Sequence, residues 1–124
     1  MRKIEVYYNL HKHLFSVRAL DGVNKGRVIA HSETVYMCNP KFVVQPRGRQ
    51  KVLEEQRKNV HAFVRGFQAS ILDRIPDKSE MTEVTYNPYK YDSFVRKSDA
   101  TPILHGGFAV LADKKIWVKD GQFA

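Results

Sequence analysis

The sequence predicts an α+β fold, an antiparallel sheet of short strands with one long helix at about residues 50–75 packed on it. Three observations carry this reading. Short runs of period-two alternation, separated by turn residues, fill residues 3–45. After Pro46-Arg47-Gly48-Arg49 the period changes to that of a helix. Alternating runs return from Met81 onward.

Lys3 to Tyr8 alternates around Ile4 and Val6, which is a strand signal. Asn9 to Lys12 reads as a turn. Lys12 to Leu20 alternates again, with Leu14, Ser16 and Arg18 on one face and Phe15, Val17 and Ala19 on the other, so the first two strands form a hairpin. Asp21-Gly22 and Asn24-Lys25-Gly26 supply the next turn, because Gly and Asn tolerate positive φ. Arg27–Ala30, Thr34–Met37 and Lys41–Gln45 are three further short strands. From Gln50 to Ile75 the chain reads as a helix. At about 100° per residue, Leu53, Val60, Val64, Phe67 and Ile71 share a narrow arc, with Val52 and Phe63 beside it. Gly66 weakens the helix interior and permits close approach of another backbone, and Pro76 ends the helix. Asp77–Glu80 is a loop, Met81–Tyr86 a strand, and Phe108–Ala112 with Lys115–Lys119 a final hairpin across Asp113-Lys114.

A chain of 124 residues with 43% hydrophobic content makes one domain, residues 1–124, with one core. The formal net charge is +8, which favours an anionic partner. The single cysteine, Cys38, excludes an intrachain disulfide. The N-terminus lacks the apolar core of a signal peptide, and no apolar run reaches the roughly 18 residues of a membrane span. The expected setting is soluble and intracellular, with no membrane partner.

Thr85 to Lys97 is the most informative stretch. It holds Tyr86, Tyr89, Tyr91 and Phe94, punctuated by Asn87-Pro88 and followed by Arg96 and Lys97. Flat rings beside fixed cations suit a nucleobase with its phosphate; a strand and turn with half-buried tyrosines has the same composition. Arg57 lies on the flank of the helical apolar arc with His61 beside it, and needs an anionic partner: a ligand, or an ordinary carboxylate. Arg47-Gly48-Arg49 precedes a helix start, where N–H groups, dipole and guanidiniums attract an anion. His105-Gly106-Gly107 either admits a ligand close to the backbone or is a tight turn. His11-x-His13 places two rings on one strand face, but no third metal ligand accompanies them, so neither metal nor cofactor is expected. No phosphate-binding loop, nucleophile elbow or dinucleotide fingerprint is present. The inventory describes a binder rather than an enzyme.

Three blocks resemble the phage-encoded Thoeris anti-defence proteins of the first type. They are Tyr8 to Lys12 with Phe15-Ser16-Val17, Gly48 to Leu53 continuing to Arg57–Val64, and Thr85 to Tyr91 with Ser93-Phe94-Val95. The resemblance implies a non-catalytic sponge that sequesters a cyclic ADP-ribose immune messenger, with cyclic di- and trinucleotides as further ligands. It implies a homodimer or hexamer acting in the cytoplasm of the infected bacterial host. Under it, Phe94 and Tyr89 stack on adenine, Arg57 and Arg96 hold pyrophosphate, Arg47 adds charge at the helix start, and His105 closes over the ligand. The apolar helix arc becomes the dimer contact, although a core contact with the sheet explains it equally well. Two competing readings are a small RNA- or single-strand-DNA-binding protein, which lacks a motif of its own here, and a histidine-dependent enzyme that destroys the messenger. Nucleic acid is the less expected partner.

Overall fold

The computed structural model describes residues 2–69 and 77–124. In chain order its elements are β1 (Lys3–Asn9), β2 (Leu14–Ala19), β3 (Val28–Ser32), β4 (Thr34–Val44), α1 (Pro46–Glu55), β5 (Ala62–Gln68), β6 (Thr82–Thr85), β7 (Val95–Arg96), β8 (Ile103–His105), β9 (Phe108–Ala112), β10 (Lys115–Lys119) and β11 (Gln122–Phe123). A short 3-10 turn, Lys78–Glu80, precedes β6. The strands form one sheet in the order β3-β2-β1-β5-β4-β9-β10-β6-β7, with β8 on β4 and β11 on β8. Every pair is antiparallel.

The first hairpin forms as its alternation dictates. Ile4, Val6 and Tyr8 stand opposite Ala19, Val17 and Phe15 on one face. Glu5 and Tyr7 stand opposite Arg18 and Ser16 on the other. The final hairpin turns at Asp113 and Lys114, both at positive φ, the backbone that matches strand twist in a two-residue loop. Thr34–Met37 and Lys41–Gln45 belong to the single strand β4, which bulges between Cys38 and Lys41, where Asn39 takes φ 51°. His11 and His13 lie in the β1–β2 turn, exposed, rather than on a strand face.

The long helix does not form. α1 starts with Pro46 and ends at Gln56, which adopts the left-handed conformation and returns its N–H to the Val52 carbonyl. Residues 62–68, expected to be helical, are the strand β5, hydrogen-bonded to β1 on one edge and β4 on the other. Phe63 and Val64 point to opposite faces of that strand and both are buried. Adjacent buried apolar residues on opposite faces of a short strand leave a periodicity that does not separate strand from helix. Two gains on neighbouring backbones decided the outcome over local preference. The end of the predicted helix, including Ile71 and Pro76, lies outside the described residues.

Gly66 is where β5 meets the β4 bulge. A Cβ there would stand 2.7 Å from the Cys38 carbonyl oxygen and 3.2 Å from that of Asn39. The expected close backbone approach is therefore present, between strands rather than helices.

The sheet curls. Val6 of β1 and Phe15 of β2 line the same cavity as Ile116 of β10 and Thr85 of β6. In a flat sheet, β2 and β6 would lie about 29 Å apart, six spacings of about 4.8 Å. The core fills the concave side, with Ile4, Val17, Met37, Val64, Leu111 and Val118 almost fully shielded. Gly66→Ala should lower unfolding free energy by about 1–3 kcal/mol, the cost of forcing extra volume into close packing. Urea denaturation measures it; an unchanged midpoint would show that the bulge gives way freely.

Candidate functional site

The concave side leaves an open cavity of about 720 Å3, within the range that holds drug-sized ligands. Its floor is the inner face of the sheet: Val6, Phe15, Val64, Leu111 and Ile116. Tyr8 packs edge-on against Phe15 at 5.2 Å between ring centroids and adds an aromatic edge. Tyr86 and Phe94 form a side wall with centroids 5.3 Å apart, and Phe42 backs Phe94 at 5.4 Å. Leu10, Lys58, Asn59, Val60, Asn87 and Tyr89 stand around the cavity, and Tyr89 is 62% exposed.

One polar cluster holds this wall. The His61 ring is 5% exposed. Its Nδ1–H donates to the Asn59 carbonyl at 2.7 Å, so in the neutral ring Nε2 accepts the Tyr86 O–H at 2.7 Å. Gly48 of α1 lies directly on the His61 Cβ, where a side chain would not fit. Arg49 Nε donates to the carbonyls of Pro88 at 3.1 Å and Tyr91 at 2.9 Å, tying the aromatic loop to α1. Asn87 shapes that loop by accepting the Tyr89 N–H on its side chain at 2.9 Å. Burial holds the Tyr86 phenol above its ordinary pKa; nearby Arg49 opposes this and Asp92 adds to it.

Of the six residues expected to bind ligand, two meet in the cavity: Phe94, in its wall, and Tyr89, on its rim. Phe94 is also a core residue, at 5% exposure. Arg57 follows the α1 cap and is exposed, not on a helix flank. It lines a shallow hollow of about 190 Å3 with Lys51, Glu55, Lys58 and Asn59. Lys58 and Asn59 border both this hollow and the cavity. Arg47 is exposed in the first turn of α1 and does not line the cavity. The anion site expected at Arg47-Gly48-Arg49 is not assembled, because Arg49 turns to backbone carbonyls and Gly48 abuts His61.

Arg96 lies elsewhere, its guanidinium 4.1 Å from the centroid of the Phe123 ring and 3.4 Å from Asp99. Hydrogen bonds from Thr101 hold the Asp99 carboxyl below its usual pKa. His105 is exposed on β8 opposite Lys41 and does not line the cavity, and Gly106 packs tightly on Val118. Among the described residues no three His, Cys, Asp or Glu side chains converge as a metal site. Ser16 Oγ and His31 Nδ1 lie 2.9 Å apart, with Asn9 Nδ2 donating to Ser16 at 3.2 Å. Ser16 is fully shielded from solvent, so this trio ties strands together and offers no accessible nucleophile.

The sequence does not single out the floor residues as a site, and it points Arg49 to an anion rather than to the carbonyls of the aromatic loop. Tyr8 and Phe15 were detectable as register partners of the first hairpin. Leu111 and Ile116 were not, because their place depends on the curl.

The family model of the Mycobacterium phage L5 gene 82 protein matches residues 1–119. The chain belongs to this family. Its relative, the gene 82 protein of Mycobacterium phage L5, is 38% identical over 120 residues, covering 92% of this chain and 93% of the relative. No solved structure matches. The match spans every element of this chain from β1 to β10, cavity walls included. Among the described residues, no helix is long and apolar enough to cross a membrane.

Tyr86→Phe should cost about 1–3 kcal/mol at neutral pH, because His61 Nε2 loses its donor inside the protein. A raised phenol pKa favours the protonated folded form, so stability is lost as pH rises past about 10. Melting temperatures from pH 8 to 11 should therefore fall less steeply in Tyr86→Phe than in the wild type. Parallel curves would contradict this.

Proposed function

We propose that the protein is a non-catalytic binder that captures a small, flat, anionic molecule of the nucleotide class. In its finer form the reading is that of a sponge. The chain sequesters a cyclic nucleotide immune messenger, glycocyclic ADP-ribose or a cyclic di- or trinucleotide, in the infected bacterium and blunts anti-phage defence. The observation that supports it is the cavity itself: apolar floor, aromatic wall of Tyr86 and Phe94, exposed Lys58 at the border, and Arg57 and Lys51 beside it. Aromatic faces suit a base and cations suit its phosphates. Membership in a phage family is consistent with action inside a host.

A sponge must outcompete the receptor of its messenger, which needs nanomolar affinity or about 12 kcal/mol. The open cavity of one copy is poorly enclosed for that task. Leu10, Val60 and Tyr89 are exposed apolar groups along its border. A second copy covering them would exclude water, so the reading includes a homodimer or a larger assembly.

The test mixes excess protein with cyclic ADP-ribose isomers and cyclic di- and trinucleotides. Bound material is separated by filtration, released by heat and identified by mass. Recovery of one intact ligand supports sequestration; an altered ligand shows an enzyme, and no capture refutes the reading. Tyr89→Ala should weaken capture by about 1–3 kcal/mol while leaving the melting temperature unchanged. Sedimentation should give a dimer or larger species that persists with ligand.

A further inference from the structure

The convex face of the sheet gathers residues that are scattered in the sequence. Register places Arg18, Glu5, Arg65, Lys41 and His105 side by side across β2, β1, β5, β4 and β8. Directly opposed residues of antiparallel strands project to one face, so these five form a single lateral row. Glu5 is 3% exposed and bound by both guanidiniums, Arg18 at 3.2 Å and Arg65 through Nε. One carboxylate against two guanidiniums leaves positive charge, and exposed Lys41 adds to it.

A parallel row lies one pleat away. Lys3, Phe67, Cys38, Phe108 and Lys119 are successive register partners across β1, β5, β4, β9 and β10. Phe67 is 36% exposed, and Phe108 is half-buried. Lys119 sits 3.9 Å from Glu80, a loose pair that leaves its ammonium at the surface. Each row crosses five strands, about 19 Å.

From this juxtaposition we propose a second binding surface, distinct from the cavity, that takes single-stranded nucleic acid on the convex face. Cations in line track a phosphate backbone, and rings between them receive unstacked bases without regard to sequence. A duplex hides its base faces and would gain only the charge contacts. An anionic lipid surface would meet the same cations but offers the rings no stacking partner. The chain's charge of +8 adds long-range attraction to any polyanion, so the test must separate the face from the net charge.

The experiment measures fluorescence anisotropy of fluorescein-labelled dT4, dT8 and dT16 between 50 and 200 mM salt, with a hairpin duplex and phosphatidylserine vesicles as competitors. Affinity should rise with length over this range and fall with log salt at a slope of about −2, as expected for about three phosphates on a single strand. Lys41→Glu should weaken dT16 at least tenfold, whereas Lys12→Glu, an equal charge change in the β1–β2 turn, should weaken it far less. Phe67→Ala should weaken it roughly 5- to 100-fold. Circular dichroism confirms that each variant folds, and Tyr89→Ala should bind dT16 like the wild type. Equal losses in Lys41→Glu and Lys12→Glu would reduce the effect to net charge and overturn the proposal. So would vesicles displacing dT16 better than unlabelled dT16 does, or affinity independent of length.

Discussion

Gly66 has no room for a side chain, and much of the architecture depends on that. The carbonyls of Cys38 and Asn39 occupy the space where its Cβ would be. This lets β4 bulge against β5 without breaking the pairing on either side. On one side of the bulge β4 pairs with β9, and on the other it meets β8. One strand thus serves two sheet continuations. A side chain at residue 66 would push β5 off the β4 bulge at the point where the N-terminal hairpin joins the C-terminal strands.

The same strand shows where the sequence could and could not be read. The first hairpin is legible because polar and apolar residues alternate along it, although Glu5 and Ser16 on its polar face are themselves buried, and the last because two short apolar runs flank Asp113-Lys114. β5 buries Phe63 on one face and Val64 on the other, and sits between β1 and β4. Its apolar residues satisfy a helical arc as well as a strand, and only the pairing with β1 and β4 decides between them. The same ambiguity displaces Arg57 and His61 together from the helix flank expected for them. β7, β8 and β11 were too short to leave a pattern.

The site was legible in part for a related reason. Tyr86, Tyr89 and Phe94 are close in sequence and were found as a cluster, and two of the six expected contacts, Tyr89 and Phe94, lie at the cavity. Its floor comes from five strands, and no local spacing announces such a set. Arg49 shows a different limit. An arginine before a helix suggests an anion site, yet here its Nε–H is shared between two carbonyls of the aromatic loop. Both uses satisfy the same guanidinium chemistry, and only the placement of Pro88 and Tyr91 separates them.

The strand order also bears on how the chain reaches this state. β1 pairs with β5, and β4 pairs with β9, so Tyr36 must find Val110 before the middle of the sheet closes. Such contacts carry a large loop-closure entropy before they return any burial. The β1–β2 and β9–β10 hairpins can form early and alone, but neither has a core until the other arrives. Folding should therefore be slow for a chain of this size, with β4 exposing an unpaired edge on the way. During synthesis that edge stays open until the last third of the chain emerges, a window in which the nascent protein is exposed to strand-to-strand aggregation.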